Sequence, residues 1–158
     1  MVMNQLQKYQ RHIFSYFTVQ SNTFMGIVAF VFAIKEYQVI KGYKKKIPLK
    51  YYILKMVATI AVSLTVLAVV ACFSFVTKGG LISLLRNSNL FFHLIIPVTS
   101  IINYVFFEKI DTIKFKYTLY GLLPTVLYEI YYVIDIISKI DNGKVSATSD
   151  WYKFLQKC

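Results

Sequence analysis

The chain has 158 residues, 57% of them hydrophobic and 16% charged, with a mean hydropathy of +0.55; this balance excludes an ordinary soluble globular domain and marks a membrane protein. A net charge of +11 would suggest nucleic acid in a soluble protein. Here the lysines stand between long apolar runs, where they read as topology signals and contacts to anionic lipid, so nucleic acid is not an expected partner.

Four segments are long enough to cross a ~30 Å hydrocarbon core, which takes about 20 helical residues. They lie near 13–35, 52–77, 89–107 and 117–138. The expected fold is therefore all-α, a polytopic membrane helix bundle of four transmembrane helices forming a single membrane domain over 1–158. The first segment opens on "FSYFTVQSNTF", with Ser15, Thr18, Gln20, Ser21, Asn22 and Thr23 where an inserting helix wants apolar side chains. The apolar remainder, Phe24 to Ile34, covers roughly half of the core at ~1.5 Å per residue, so the polar stretch must lie within the span. Lipid solvates such groups poorly, and they are expected to face the bundle interior or a wet cavity. An interfacial or re-entrant start at Ser21 or Asn22 is the plainer alternative. No small-residue cleavage site closes this run, so a cleavable signal peptide is not expected.

The linker from Lys35 to Lys55 is dense in lysine and is expected to be cytoplasmic, with Lys109, Lys114 and Lys116 on the same side. Both termini then lie outside. The second span, "MVATIAVSLTVLAVVACFSFV", carries no charge, and its alanines and serines permit close helix approach. Gly79 and Gly80 form a turn before the third span. That span holds Asn89 and His93 one helical turn apart, with Ser100 and Asn103 extending the stripe. Pro97 cannot donate to the carbonyl of His93, which predicts a kink and a free acceptor there; Pro124 does the same for Tyr120 in the fourth span. The fourth span also brings Tyr128, Tyr131 and Asp135 along one stripe towards the outer leaflet.

With this topology Thr18 and His93 lie at similar depth near the outer face, and polar groups from four helices converge on an outward-facing pocket. A neutral imidazole at His93 would take the proton of the Thr18 hydroxyl, making it a nucleophile for an ester carbonyl. The Asn22 or Asn89 amide would donate to the oxyanion and Asp135 would orient the histidine. The competing reading is structural, since membrane threonines commonly bond their own backbone and a single histidine is commonly paired. Glu129, a carboxylate deep in the fourth span, is a candidate proton or ion site, or else a hydrogen-bonded structural group. No glycine-rich phosphate loop and no G-x-S-x-G motif occurs, and His12 and His93 share no ligand spacing. The two cysteines, Cys72 and Cys158, show no metal spacing. No metal and no cofactor is expected.

At "YFTVQSN" and "FFHLIIP" the chain resembles the androgen-induced-protein family of multi-pass membrane proteins and its bacterial relatives. The resemblance implies an intramembrane hydrolase of fatty acid esters, with membrane lipids and a lipid-like ester as partners, Thr18 as nucleophile and His93 as its base. Two departures accompany it. About twelve residues precede the first span where family members generally have a further helix, so the chain reads as a short member or a fragment. In the tail "DWYKFL", Lys153 stands where the family pattern implies proline. Two other functions fit the same residues: a non-catalytic membrane protein that binds a lipid or a protein, and a small transporter or channel subunit that uses Glu129.

Overall fold

The computed structural model describes residues 14–73, 82, 85, 87–108, 113–138, 140–141 and 144–145. The expected end of the second span at residue 77, the turn at Gly79 and Gly80, His12, Lys109, Cys158 and the aromatic tail lie outside the described residues.

Four helices are long and apolar enough to cross a membrane: α1 (Phe17–Ile40), α2 (Leu49–Ala71), α3 (Ser88–Phe107) and α4 (Phe115–Ser138). The protein is an all-α multi-pass helix bundle, whose only β pairing among the described residues is a two-residue ladder after α4, Ile140 opposite Val145 and Asp141 opposite Lys144. The outward surface is apolar, with Phe30, Leu67, Phe106 and Ile134 all well exposed, as a lipid-facing surface requires.

The basic linker is shorter than expected. Backbone hydrogen bonding carries α1 on through Lys35 and Glu36 to Ile40, where Gly42 takes φ +76° and its N–H caps the Val39 carbonyl. A glycine adopts that left-handed conformation without steric cost and stops the helix. Pro48 then precedes the start of α2 at Leu49. Lys50 and Lys55 are therefore helical residues, and only Lys41 to Pro48 bridges α1 and α2.

Lys55 is buried and pairs with Glu108 at the end of α3, their side chains 7% and 6% exposed. Its ammonium also lies 4.0 Å from the centre of the Phe32 ring on α1, and Phe32 meets Tyr52 edge-on. One cation thus ties three helices together at the end of the bundle where α1 and α3 finish.

Between α1 and α2 the core is Met25, Val28, Ala58 and Val62, with Phe24 against it. Ala58 and Ala61 are fully buried, so the two backbones come close, as small residues allow in membrane bundles. A second cluster, Tyr128, Tyr132 and Ile136 with Tyr16 and Phe17, joins α4 to the start of α1. There the Tyr128 hydroxyl donates to the Ser15 carbonyl at 2.9 Å. Gly121 seats α4 on α2: a Cβ at that position would stand 2.3 Å from Ile60 Cδ1 and 3.0 Å from its Cγ2.

The two prolines alter their helices in opposite senses. Before Pro124, α4 is a tight 3₁₀ helix over Phe115–Leu122, and the Leu123 N–H takes the Tyr120 carbonyl. The acceptor expected to be free is thus occupied. Before Pro97, α3 loosens into a π-helical turn over Phe91–Ile95, and the Ile96 N–H reaches back to the Phe91 carbonyl. In this turn the Phe92 carbonyl, whose next π-helical donor would be the absent N–H of Pro97, lacks a backbone partner.

Two stability predictions follow from this packing. Replacing Gly121 with alanine overpacks the α2–α4 contact at a cost of about 1–3 kcal/mol, and adding Ile60→Ala recovers part of it; thermal unfolding in detergent measures both. Removing either partner of the buried ion pair, by Lys55→Ala or Glu108→Ala, costs about 3–5 kcal/mol, whereas the double change Lys55→Met with Glu108→Leu stays close to the parent. Equal loss in single and double variants would rule out pairing as the source.

Candidate functional site

The cavity that holds Thr18 and His93 lies where α1 begins, towards the end of α2, and where α3 begins. It encloses about 370 Å³ and is lined by Tyr16, Phe17, Thr18, Val19, Thr65, Ala68, Val69, Asn89, Phe92 and His93. Its volume falls within the ~300–1,000 Å³ of small-molecule sites. Most of the wall is apolar, with Thr18, Asn89 and His93 presenting side-chain polar groups that no protein hydrogen bond occupies among the described residues.

Thr18 is the second residue of α1, so its side chain sits in the first turn, at the positive end of the helix dipole. Several other hydroxyls are satisfied locally, whereas those of Thr59 and Thr125, like that of Thr18, have no hydrogen-bond partner among the described residues. Ser21, Thr23, Ser63, Thr65, Ser100 and Ser138 each donate to a carbonyl three or four residues back. That local bond is the ordinary fate of a hydroxyl in a membrane helix. Thr18 makes no such bond. His93 is half-buried in the π-helical turn of α3, and its Nδ1 is buried with no hydrogen-bond partner among the described residues. Thr18 and His93 line the same cavity without a hydrogen bond between them.

Asn22 has a different task from the one expected of it. It is buried, and its Nδ2 donates to the Thr18 carbonyl at 2.7 Å and to the Phe92 carbonyl at 3.2 Å. Both amide hydrogens are spent on backbone acceptors, so Asn22 has none left for an oxyanion. It supplies α3 with the donor that Pro97 lacks and fixes α1 to α3 directly below the cavity. Asn89 is exposed and keeps its amide on the cavity wall.

The expected convergence of four helices is a convergence of three. Helix α4 packs on α2 and on the start of α1, so Asp135, half-buried on α4, is not part of the cavity wall beside His93. Ser100 is buried and bonded to the Ile96 carbonyl, and Asn103 is exposed. Glu129 is exposed on α4 and lines none of the three cavities described. An interior carboxylate path through Glu129 therefore has no geometric basis among the described residues.

Sequence reasoning missed the apolar walls contributed by Phe17, Val19, Ala68, Val69 and Phe92, which are indistinguishable in sequence from other membrane-span residues. It also missed the Lys55–Glu108 pair. Lys55 could have been found from its place four residues after a tyrosine pair, inside the helical register that Pro48 begins. No protein-family model, curated protein or solved structure matches the chain.

The role of Asn22 generates a double-mutant test. Asn22→Ala leaves the Phe92 carbonyl unpaired and lowers stability by about 1–3 kcal/mol. Pro97→Ala restores a backbone donor to α3, and in that background Asn22→Ala costs markedly less. Additive losses would show that the two residues do not serve the same carbonyl.

Proposed function

We propose that the protein is an integral-membrane hydrolase of lipid-like fatty acid esters, in which Thr18 is the nucleophile and His93 its base. The observation that carries this reading is the presence, in one largely apolar cavity, of a threonine hydroxyl without the usual backbone bond and an imidazole whose buried Nδ1 has no partner among the described residues. The resemblance to the androgen-induced-protein family assigns the same two residues the same roles.

In the proposed cycle His93 accepts the Thr18 proton as Oγ1 attacks the ester carbonyl. The tetrahedral oxyanion is stabilised by the Asn89 amide and by the positive end of the α1 dipole. Collapse breaks the ester C–O bond, the leaving alkoxide takes the proton from His93, and an acyl-threonine forms. Water, deprotonated by His93, then attacks that ester, and the proton returns to Thr18. Phe17, Val19, Ala68, Val69 and Phe92 hold the hydrocarbon chain, a role their apolar surface suits. We place the protein in the cell membrane with the loop from Lys41 to Pro48 on the cytoplasmic face, which opens the cavity to the outer leaflet.

The test uses purified protein and a fluorophosphonate-type hydrolase probe. Parent protein labels; Thr18→Ala and His93→Ala reduce labelling at least a hundredfold, within the range of general-base contributions of ~10²–10⁴, and Thr18→Ser keeps it. Labelling that survives both Thr18→Ala and His93→Ala removes the assignment, as does a parent protein that neither labels nor cleaves long-chain esters.

A further inference from the structure

A second concave feature lies between α2 and α4 and runs on between α1 and α4; apart from Phe17, which lines both that cleft and the cavity of Thr18 and His93, its residues play no part in the proposed hydrolysis. Where α2 and α4 begin, a groove of about 510 Å³ runs between Lys50, Ile53, Leu54 and Val57 on one side and Tyr120 and Leu123 on the other. Phe24, Pro124 and Leu127 line this groove and also the cleft between α1 and α4 that reaches Gln20 and Tyr131. The two are one continuous trough. From Tyr120 to Tyr131 its length is roughly 16 Å at ~1.5 Å per residue, about half of the ~30 Å hydrocarbon core and hence the depth that one acyl chain fills.

Charge specifies what sits at the open end. Lys50 lines the trough and is exposed, with its ammonium 5.4 Å from the Tyr51 ring. Lys116, at the start of α4, lies 5.3 Å from the Tyr117 ring. The loop between α1 and α2 adds Lys41, Lys44, Lys45 and Lys46 at the same end. The acids described there are Glu36 and Glu108, and Glu108 is already neutralised by Lys55. Basic side chains beside aromatic rings at the mouth of an apolar groove match an anionic headgroup above a hydrocarbon tail.

We propose that this trough is a binding site for an anionic phospholipid, with one acyl chain lying against Leu123, Pro124 and Leu127 and the phosphate at Lys50. The site is independent of Thr18 and His93, so it stands or falls apart from the hydrolase reading.

Native mass spectrometry of the full chain, delipidated in detergent and given equal amounts of phosphatidylglycerol and phosphatidylcholine with identical acyl chains, tests it. The parent retains phosphatidylglycerol in preference, and Lys50→Gln, a surface change that leaves the core intact, cuts that preference roughly fivefold, the scale of one lysine near a charged lipid surface. Leu127→Trp, which fills the trough, lowers retention of the lipid, whereas Leu127→Met retains it. Equal retention of the two lipids by the parent overturns the proposal, as does an undiminished preference in Lys50→Gln. Unchanged retention in a folded Leu127→Trp protein overturns the placement of the chain.

Discussion

The arrangement of this bundle depends on one demand, that every backbone polar group inside hydrocarbon find a partner. Pro97 breaks that rule in α3, and the structure answers with a π-helical turn and a borrowed donor. In that turn the Phe92 carbonyl faces the missing N–H, and Asn22 of α1 reaches it at 3.2 Å. Because the same amide also holds the Thr18 carbonyl, the correction of a local fault in α3 sets the position of the first turn of α1. The walls that carry Thr18 and His93 are thus registered against one another by a residue that is itself outside the cavity.

The two ends of the bundle are held by different physics. At the end where α1 and α3 finish, Lys55, Glu108 and Phe32 form a buried charged knot that leaves little freedom among three helices. Such a pair adds little or no net stability against a hydrophobic replacement, yet it penalises any arrangement that separates its members. At the other end, α1, α2 and α3 enclose a cavity, the Asn22 amide joins α1 to the Phe92 carbonyl of α3, and the Phe17–Tyr128 contact joins α1 to α4. A bundle pinned at one end and open at the other can accommodate a ligand by small displacements around the cavity without losing its register.

Hydropathy and length made the four spans legible, since a helix crossing lipid must be apolar for about 20 residues whatever its neighbours do. The depth relation between Thr18 and His93 was legible for the same reason, because span boundaries and alternating direction fix it. Lateral placement was not. Nothing in the hydropathy of α4 says whether Asp135 and Glu129 face α3 or the exterior, and the answer depends on Gly121 fitting against Ile60. Proline was legible as a disturbance but not as an outcome: Pro97 and Pro124 have the same missing N–H, yet one helix widens to π and the other tightens to 3₁₀. What packs alongside also differs: an amide lies within reach of the freed carbonyl in α3, and Gly121 packs against Ile60 in α4.

The polar opening of α1 can now be divided by employment. Ser21 and Thr23 satisfy themselves on the preceding turn, Gln20 reaches the Phe14 carbonyl at 2.7 Å, and Asn22 serves two carbonyls. Each is a solution to the cost of placing a polar atom in a membrane span. Thr18, second in α1, makes no such bond among the described residues: the carbonyls three and four residues back, of Ser15 and Phe14, precede the helix and accept from Tyr128 and Gln20. A hydroxyl without a backbone acceptor is available to whatever enters the cavity, and in the proposed hydrolysis the imidazole in the same cavity is the base that would make it reactive.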